Sequence, residues 1–431
     1  MPDPIEVRIE KLIYGGEGLA HHEGHTVFAP FVLPDESVCI EPVETRKKFI
    51  RGRVAEIKTP SADRAAARCP YFGVCGGCDY QHIPYELQLR YKSEILRETL
   101  SRVGRVQWEG AIVPHASPPF GYRNRVQWKF GRDAGGAPEI GYFQAGSQRL
   151  CPIRQCPIAS PRLNETLVAI AGLLQSGKLP PELREIEAFT DQDDERLLLN
   201  LALDAVNGGA AQITSLFRSA LPSIETLLIQ DRRADRFELD GPGYIRYRVG
   251  GASYQVGHLS FFQVNRFLLD ELVFAVIGES RGKLGLDLFA GVGLFSVPLA
   301  NRFERLIAVE SNPAAARDLK ANLQASGAPS PNLRETTVEA FLEHWRERPD
   351  LVVLDPPRTG VAARALARLA KIGPAEIVYL SCDPATLARD LAVLAGDAKN
   401  PRGYRISELH LVDIFPQTYH IEALVRLLRR A

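Results

Sequence analysis

Four short apolar runs recur through the last third of the chain, at 284–289, 306–309, 351–354 and 377–380, with helical stretches between them. Strands that are apolar throughout must bury both faces, and parallel sheets covered by helices do this. The pattern predicts a doubly wound, Rossmann-like α/β domain running from about residue 254 to 431. Such domains bind ligands just beyond the carboxyl ends of their strands, so the residues following each run are the first candidates for chemistry.

The remainder has a different texture. Residues 5–58 read as short strands broken by glycine turns, with Ile5, Val7 and Ile9 alternating and Tyr14-Gly-Gly-Glu-Gly18 turning the chain. Closely spaced strands of this kind suggest a small OB-like β-barrel over 1–60. Its last third carries Arg46, Lys47, Lys48, Arg51 and Arg53, suited to a nucleic-acid backbone. A helix is predicted over 84–102, where Leu87, Tyr91, Ile95, Leu96 and Leu100 recur at helical spacing. From Tyr122 the period becomes two, with Arg123, Arg125, Gln127 and Lys129 on one face and Asn124, Val126, Trp128 and Phe130 on the other. Further strands at 140–143, 197–203, 227–230 and 245–249, and a helix at 161–175, make the middle α+β. The expected division is 1–60 for the barrel, 61–83 with 113–253 for the central domain, and 84–112 with 254–431 for the C-terminal domain.

Composition narrows the class. Lys plus Arg equals Asp plus Glu, 52 each, which excludes a whole-chain polyanion binder and leaves room for local basic patches. No apolar run approaches the ~18 residues of a membrane span, the N-terminus lacks a leader pattern, and seven cysteines argue against a disulfide framework. A cytoplasmic enzyme without membrane association is expected.

The first strand of the α/β domain ends in Asp287-Leu-Phe-Ala-Gly291-Val-Gly293, and Glu310 closes the second strand nineteen residues after Gly291. Glycines there permit a tight turn and close backbone approach, and an acid at that spacing can accept from both ribose hydroxyls. The third glycine of a dinucleotide site is missing, and the set resembles the S-adenosylmethionine site of Rossmann-type methyltransferases. The next strands end in Asp355-Pro-Pro-Arg358 and Ser381-Cys382-Asp-Pro-Ala-Thr-Leu-Ala-Arg-Asp390, and Phe415-Pro-Gln-Thr-Tyr-His-Ile-Glu422 lies near the C-terminus. A thiolate and a carboxylate suit methylation at carbon 5 of uracil. That carbon is too weakly nucleophilic unaided, and thiolate addition at carbon 6 places enolate charge on it. Cys69, Cys75 and Cys78, together with a distant cysteine, supply four thiolates, adequate for tetrahedral zinc or an iron–sulfur cluster. Spacing alone leaves Cys151 and Cys156 equivalent as the fourth.

These three motifs, with Ser260-Phe-Phe-Gln263-Val-Asn265, resemble those of the RNA uridine-5-methyltransferase family over essentially the whole chain. The resemblance implies a TRAM-type N-terminal barrel and a [4Fe–4S] cluster held by Cys69, Cys75, Cys78 and Cys156. It further implies Cys382 as nucleophile, Glu422 as base, and Gln263, Phe289, Glu310 and Asp355 as S-adenosylmethionine contacts. Leu294 departs from members that carry a polar residue there. The implied activity is 5-methyluridine formation by a monomer acting on 23S rRNA. The alternatives are a transfer-RNA substrate or a non-catalytic iron–sulfur RNA-binding protein.

Overall fold

The computed structural model describes residues 3–133, 135–327, 331–395 and 403–430. The chain begins with β1 (Ile5–Arg8), β2 (Lys11–Leu12), β3 (Glu17–His22), β4 (His25–Pro30), β5 (Ser37–Thr45) and β6 (Phe49–Thr59). Their order is β1-β5-β6-β4-β3-β2. Since β1 and β2 are two ends of one short segment, pairing with β5 at one end and β3 at the other closes the sheet into a barrel. Inward Val7, Ile9, Val27, Val38 and Ile40 fill it, as the alternation requires. Within the basic run, Arg46, Arg51 and Arg53 pair with Glu44, Glu17 and Glu41. Among the described residues, only Lys47 and Lys48 of that run stand exposed outside any ion pair.

Helix α1 (Tyr85–Gly104) and β7 (Val113–His115) follow. The central sheet comprises β8 (Arg125–Arg132), β9 (Pro138–Phe143), β10 (Leu150–Pro152), β11 (Leu183–Thr190), β12 (Leu197–Leu203), β13 (Ile224–Asp231) and β14 (Arg236–Asp240), ordered β10-β9-β8-β11-β12-β13-β14. Helices α2 (Pro161–Gln175) and α3 (Ala210–Ala220) contribute Leu163, Leu167, Ile170, Ile213 and Phe217 to its core. The predicted two faces of 124–130 hold within β8, where Val126 and Trp128 are buried and Gln127 is exposed. A hairpin, β15 (Tyr244–Val249) and β16 (Ala252–Gly257), leads to the C-terminal unit.

That unit contains α4 (Leu269–Ile277), β17 (Gly282–Leu288), α5 (Ser296–Leu299), β18 (Phe303–Glu310), α6 (Pro313–Ala325), β19 (Pro331–Glu335), α7 (Val338–His344), β20 (Leu351–Leu354), α8 (Ala363–Ile372), β21 (Glu376–Ser381), α9 (Pro384–Leu394), β22 (Tyr404–Val412) and β23 (Glu422–Arg429). The sheet runs β19-β18-β17-β20-β21-β23-β22-β7, with β23 antiparallel to both neighbours. Chain order reverses between β17 and β20, the switch point where doubly wound sheets open a crevice. Helix α1 packs on α9 so closely that a Cβ at Gly104 would stand 2.3 Å from the Ala388 carbonyl oxygen. One boundary shifts. Residues 113–115, expected in the central domain, pair with β22 as the edge of the C-terminal sheet. A three-residue strand containing proline carries too little alternation to be seen in sequence.

A buried ion pair ties α1 to this sheet. Lys92 Nζ lies 2.6 Å from Asp413 Oδ1 and 3.0 Å from the Phe415 carbonyl, with both side chains essentially inaccessible. Removing one partner strands the other charge in a low-dielectric interior. Lys92→Met should therefore cost roughly 3–5 kcal/mol in urea unfolding, whereas pairing it with Asp413→Leu should restore much of the loss.

Candidate active site

All the predicted catalytic and cofactor residues except Gln263 follow, end or begin a strand on one rim of the C-terminal sheet. Phe289 follows β17, Glu310 ends β18, Asp355 follows β20 and Cys382 follows β21. Glu422 begins the antiparallel β23. The last pair in the β21–β23 ladder is Ser381 with Ala423, so Cys382 and Glu422 are the next residues to face each other.

The local sequence explains each position. Asp383 caps α9, its carboxylate accepting from Ala385 and Thr386 N–H at 3.0 and 2.8 Å, and Pro384 occupies the first turn. Cys382 thus lies just before a helix N-terminus, a setting that favours a thiolate. Asp390, at the other end of the motif, is buried and accepts from Tyr379 Oη at 2.7 Å and Val361 N–H at 2.9 Å. It thereby joins β21, α9 and the segment after Asp355-Pro-Pro-Arg358. Phe289 has φ +67, a left-handed conformation that is costly outside glycine and characteristic of functional turns. Glu310 is anchored at both oxygens, accepting from Gly291 N–H at 2.8 Å and Asn312 N–H at 2.6 Å. Beyond Gly291, which has φ +56, an added Cβ would meet open space. Gln263 is buried on the loop after β16, with Asn124 reaching its carbonyl. That loop is held by α6, whose Asp318 accepts from Ser260 Oγ at 2.6 Å and Gly257 N–H at 2.7 Å.

The electrostatics of the rim are crowded. Burial pushes Glu422 well above the usual carboxylate range, with Asp355 adding and Arg358 opposing. Burial and Asp287 push Asp355 up to about 7. Asp287 itself is pushed up to about 7 by burial and Glu310, although Ser296 donates to it, and its Oδ1 has no partner among the described residues. The Cys382 thiol is driven to about 12 by burial and by the Glu422 and Asp355 charges, against the exposed Arg358. Burial and nearby cations, Arg358 among them, lower His420 to about 4, leaving a neutral imidazole beside the site. A cation entering this crevice would favour the charged forms of Asp287, Asp355 and Glu422. These residues fit a cationic cofactor.

Sequence reasoning missed the barrel's part. Tyr14 Oη donates to Asp383 at 3.3 Å and its ring meets Tyr419 edge-on at 5.7 Å. The glycine-rich turn was visible, but only the fold brings it to residue 383.

A second centre lies in the central domain. Cys69, Cys75, Cys78 and Cys156 line a cavity of ≈ 400 Å³, whereas Cys151 is packed into the core of the central sheet. Burial pushes all four thiols up, Cys75 to about 12, and neighbouring thiols push Cys69, Cys75 and Cys78 further. A bound metal would hold such thiols as thiolates and reverse the penalty. Among the described residues no three His, Cys, Asp or Glu side chains converge on a single ion.

A switch-point crevice bounded by glycines and by an acid at the end of the second strand, with a thiol and a carboxylate on the same rim, defines a Rossmann-type methyltransferase. Comparison with known proteins narrows the class. The tRNA (uracil-5-)-methyltransferase family model matches residues 342–430, spanning Cys382 and Glu422. The 23S rRNA (uracil(1939)-C(5))-methyltransferase RlmD of Alkalilimnicola ehrlichii is 33% identical over 447 residues, covering 100% of this chain and 97% of the relative. An uncharacterised RNA methyltransferase of Aquifex aeolicus is 33% identical, covering 98% of each chain. The crystal structure of the Pyrococcus abyssi tRNA (uracil-54, C5)-methyltransferase with S-adenosyl-L-homocysteine superposes with a TM-score of 0.77 at 26% identity, covering 98% of this chain and all of that one. The chain belongs to the RNA uracil-C5 methyltransferase family, and it is an S-adenosylmethionine-dependent RNA (uracil-5-)-methyltransferase.

The raised carboxyls have a pH consequence. An acid whose pKa is higher in the fold than in the unfolded chain stabilises the fold while neutral. That contribution is complete below about pH 4 and is lost as pH rises through about 7 for Asp355. Asp355→Asn should therefore raise the cofactor-free melting midpoint at pH 8 by roughly 2–4 °C, with no gain at pH 4. It should also weaken S-adenosylmethionine binding, measured calorimetrically.

Proposed function

We propose that the enzyme methylates a uridine of 23S-type ribosomal RNA through a covalent bond between Cys382 and carbon 6. The observation carrying this is the placement of Cys382 opposite Glu422 at the crevice rim, beside Asp355 and Arg358. The thiolate form of Cys382 adds to carbon 6, and the electron pair of the 5,6 double bond moves toward carbon 5. S-adenosylmethionine, when bound against Glu310, Phe289, Gln263 and Asp355, supplies the methyl group as an electrophile on sulfur. Glu422 then takes the proton from carbon 5, the double bond re-forms, and the carbon–sulfur bond breaks to release the Cys382 thiolate. Burial raises the proton affinity of Glu422, which favours its taking the proton. The target base must leave its stack to reach Cys382.

The ribosomal assignment rests on the relatives named above, and the transfer-RNA enzyme of similar fold makes transfer RNA the comparison substrate. The N-terminal barrel is proposed as the TRAM-type RNA-binding module, with Lys47 and Lys48 as its free cations. The proposed division of labour predicts different phenotypes. Cys382→Ala should abolish both turnover and adduct. Glu422→Gln should slow release by about 10²–10⁴-fold and accumulate methylated RNA joined to protein on denaturing gels. Normal turnover by either variant would remove the mechanism.

The four-thiol cavity is proposed to hold a [4Fe–4S] cluster through Cys69, Cys75, Cys78 and Cys156. The four candidate ligands lining the cavity are all thiols, the ligand type that iron–sulfur clusters take. Methyl transfer moves no net electrons, so a structural role suffices. Anaerobically purified protein should hold about four irons per chain. Cys156→Ser should lose them, and the core substitution Cys151→Ser should keep them. One zinc and no iron would overturn this reading.

A further inference from the structure

The turn delivering Glu422 to the rim is gripped from both walls of the thiol cavity. On one wall, the two residues after Cys78 donate together, with Asp79 N–H at 3.0 Å and Tyr80 N–H at 2.9 Å from the Gln417 carbonyl. On the other, Cys156 leads into Pro157 and Ile158. Their carbonyls accept from Gly121 and Arg123 N–H at 3.0 and 2.9 Å. The residue fixed between them, Tyr122, is fully buried, and its hydroxyl donates to the Pro416 carbonyl at 3.0 Å.

Gln417 needs this grip. Its φ is +68, a conformation that a non-glycine residue keeps only where its surroundings over-determine it. Gln88 on α1 completes the hold, its amide reaching Gln417 Oε1 at 3.1 Å and its Oε1 accepting from Gln417 N–H at 2.9 Å. Cys382 shares the β21–β23 ladder with Glu422, but its own further hold is the Asp383 cap of α9, and none of those bonds comes from the thiol cavity.

We infer that the four-cysteine centre is the anchor for the base. Tyr122 and the Asp79–Tyr80 backbone are positioning groups that convert the integrity of that centre into the placement of Glu422. The inference rests on the cluster and base assignments proposed above. It separates two halves of the reaction. Disturbing the centre leaves carbon–sulfur bond formation and methyl transfer in place. Removal of the carbon-5 proton slows, so the carbon 6–sulfur bond is not broken and methylated RNA stays attached.

The test uses the full chain, iron-loaded and after iron chelation, beside an iron-loaded Tyr122→Phe variant that loses one oxygen. Amide exchange is read at residues 415–421, and turnover and adduct are read on unmodified ribosomal RNA. Chelation and Tyr122→Phe should both accelerate exchange in that turn. Tyr122→Phe should lower kcat roughly five- to tenfold, the worth of one hydrogen bond, with KM for RNA unchanged and adduct accumulating. A brace that served only RNA binding would raise KM instead. Unchanged exchange in the chelated protein, or a Tyr122→Phe variant that loosens the turn without slowing release, would overturn the inference. Glu422→Gln run alongside keeps the readings apart. Its failure to trap adduct would sink the base assignment, while the exchange data still decide whether the centre grips the turn.

Discussion

The Lys92–Asp413 pair is the interaction on which the architecture turns. It joins α1, which follows the cysteine-rich segment, to the segment linking β22 and β23. Two charges are taken out of water for it, a cost that only short contacts and added hydrogen bonds offset. The offset is visible in the Phe415 carbonyl, which accepts from Lys92 at 3.0 Å, while the Asn265 amide fixes the neighbouring Ile414 carbonyl at 3.1 Å. From that fixed point the chain passes through Gln417 and His420 to Glu422. The catalytic rim is thus assembled from sheet, helix and cysteine domain at once.

The rim concentrates acid where a neutral cofactor would gain little. Asp287, Asp355 and Glu422 share a region of low dielectric, and burial and neighbouring acids hold them up. Such a site is less stable than a neutral one would be, the usual cost of a pre-organised functional surface. A sulfonium is the kind of ligand that recovers the difference, since it brings positive charge without a proton. The same charge would ease ionisation of Cys382, whose thiol is otherwise opposed by two carboxylates.

The barrel is part of this arrangement as well as an appended module. Tyr14 reaches Asp383, the cap of the helix that begins beside Cys382, and Gly16 packs against Tyr419 and Asp79. The barrel and the helix that begins beside Cys382 are therefore mechanically adjacent. The close approach at Gly16, where φ is +85, is one that a side chain would obstruct.

Much of this was readable in one dimension. Short, largely apolar runs separated by helical stretches read as buried parallel strands, so the doubly wound domain and its rim followed from 284–289, 306–309, 351–354 and 377–380. The helix over 161–175 and the strands at 197–203 and 351–354 appear with the expected bounds, because each has a strong period and clear capping or turn residues. Residues 113–115 were misplaced because three residues have no period. Spacing left Cys151 and Cys156 equivalent; the fold separates them by packing one into the core and turning the other to the cavity. What sequence determined was the chemistry available, a thiol, a carboxylate and a cofactor strand, because each is carried by a short motif. What only tertiary structure decided was which groups meet, Tyr14 with Asp383, Lys92 with Asp413, Tyr122 with Pro416. Those contacts join residues roughly 300 or more positions apart, and local propensity holds no information at that range.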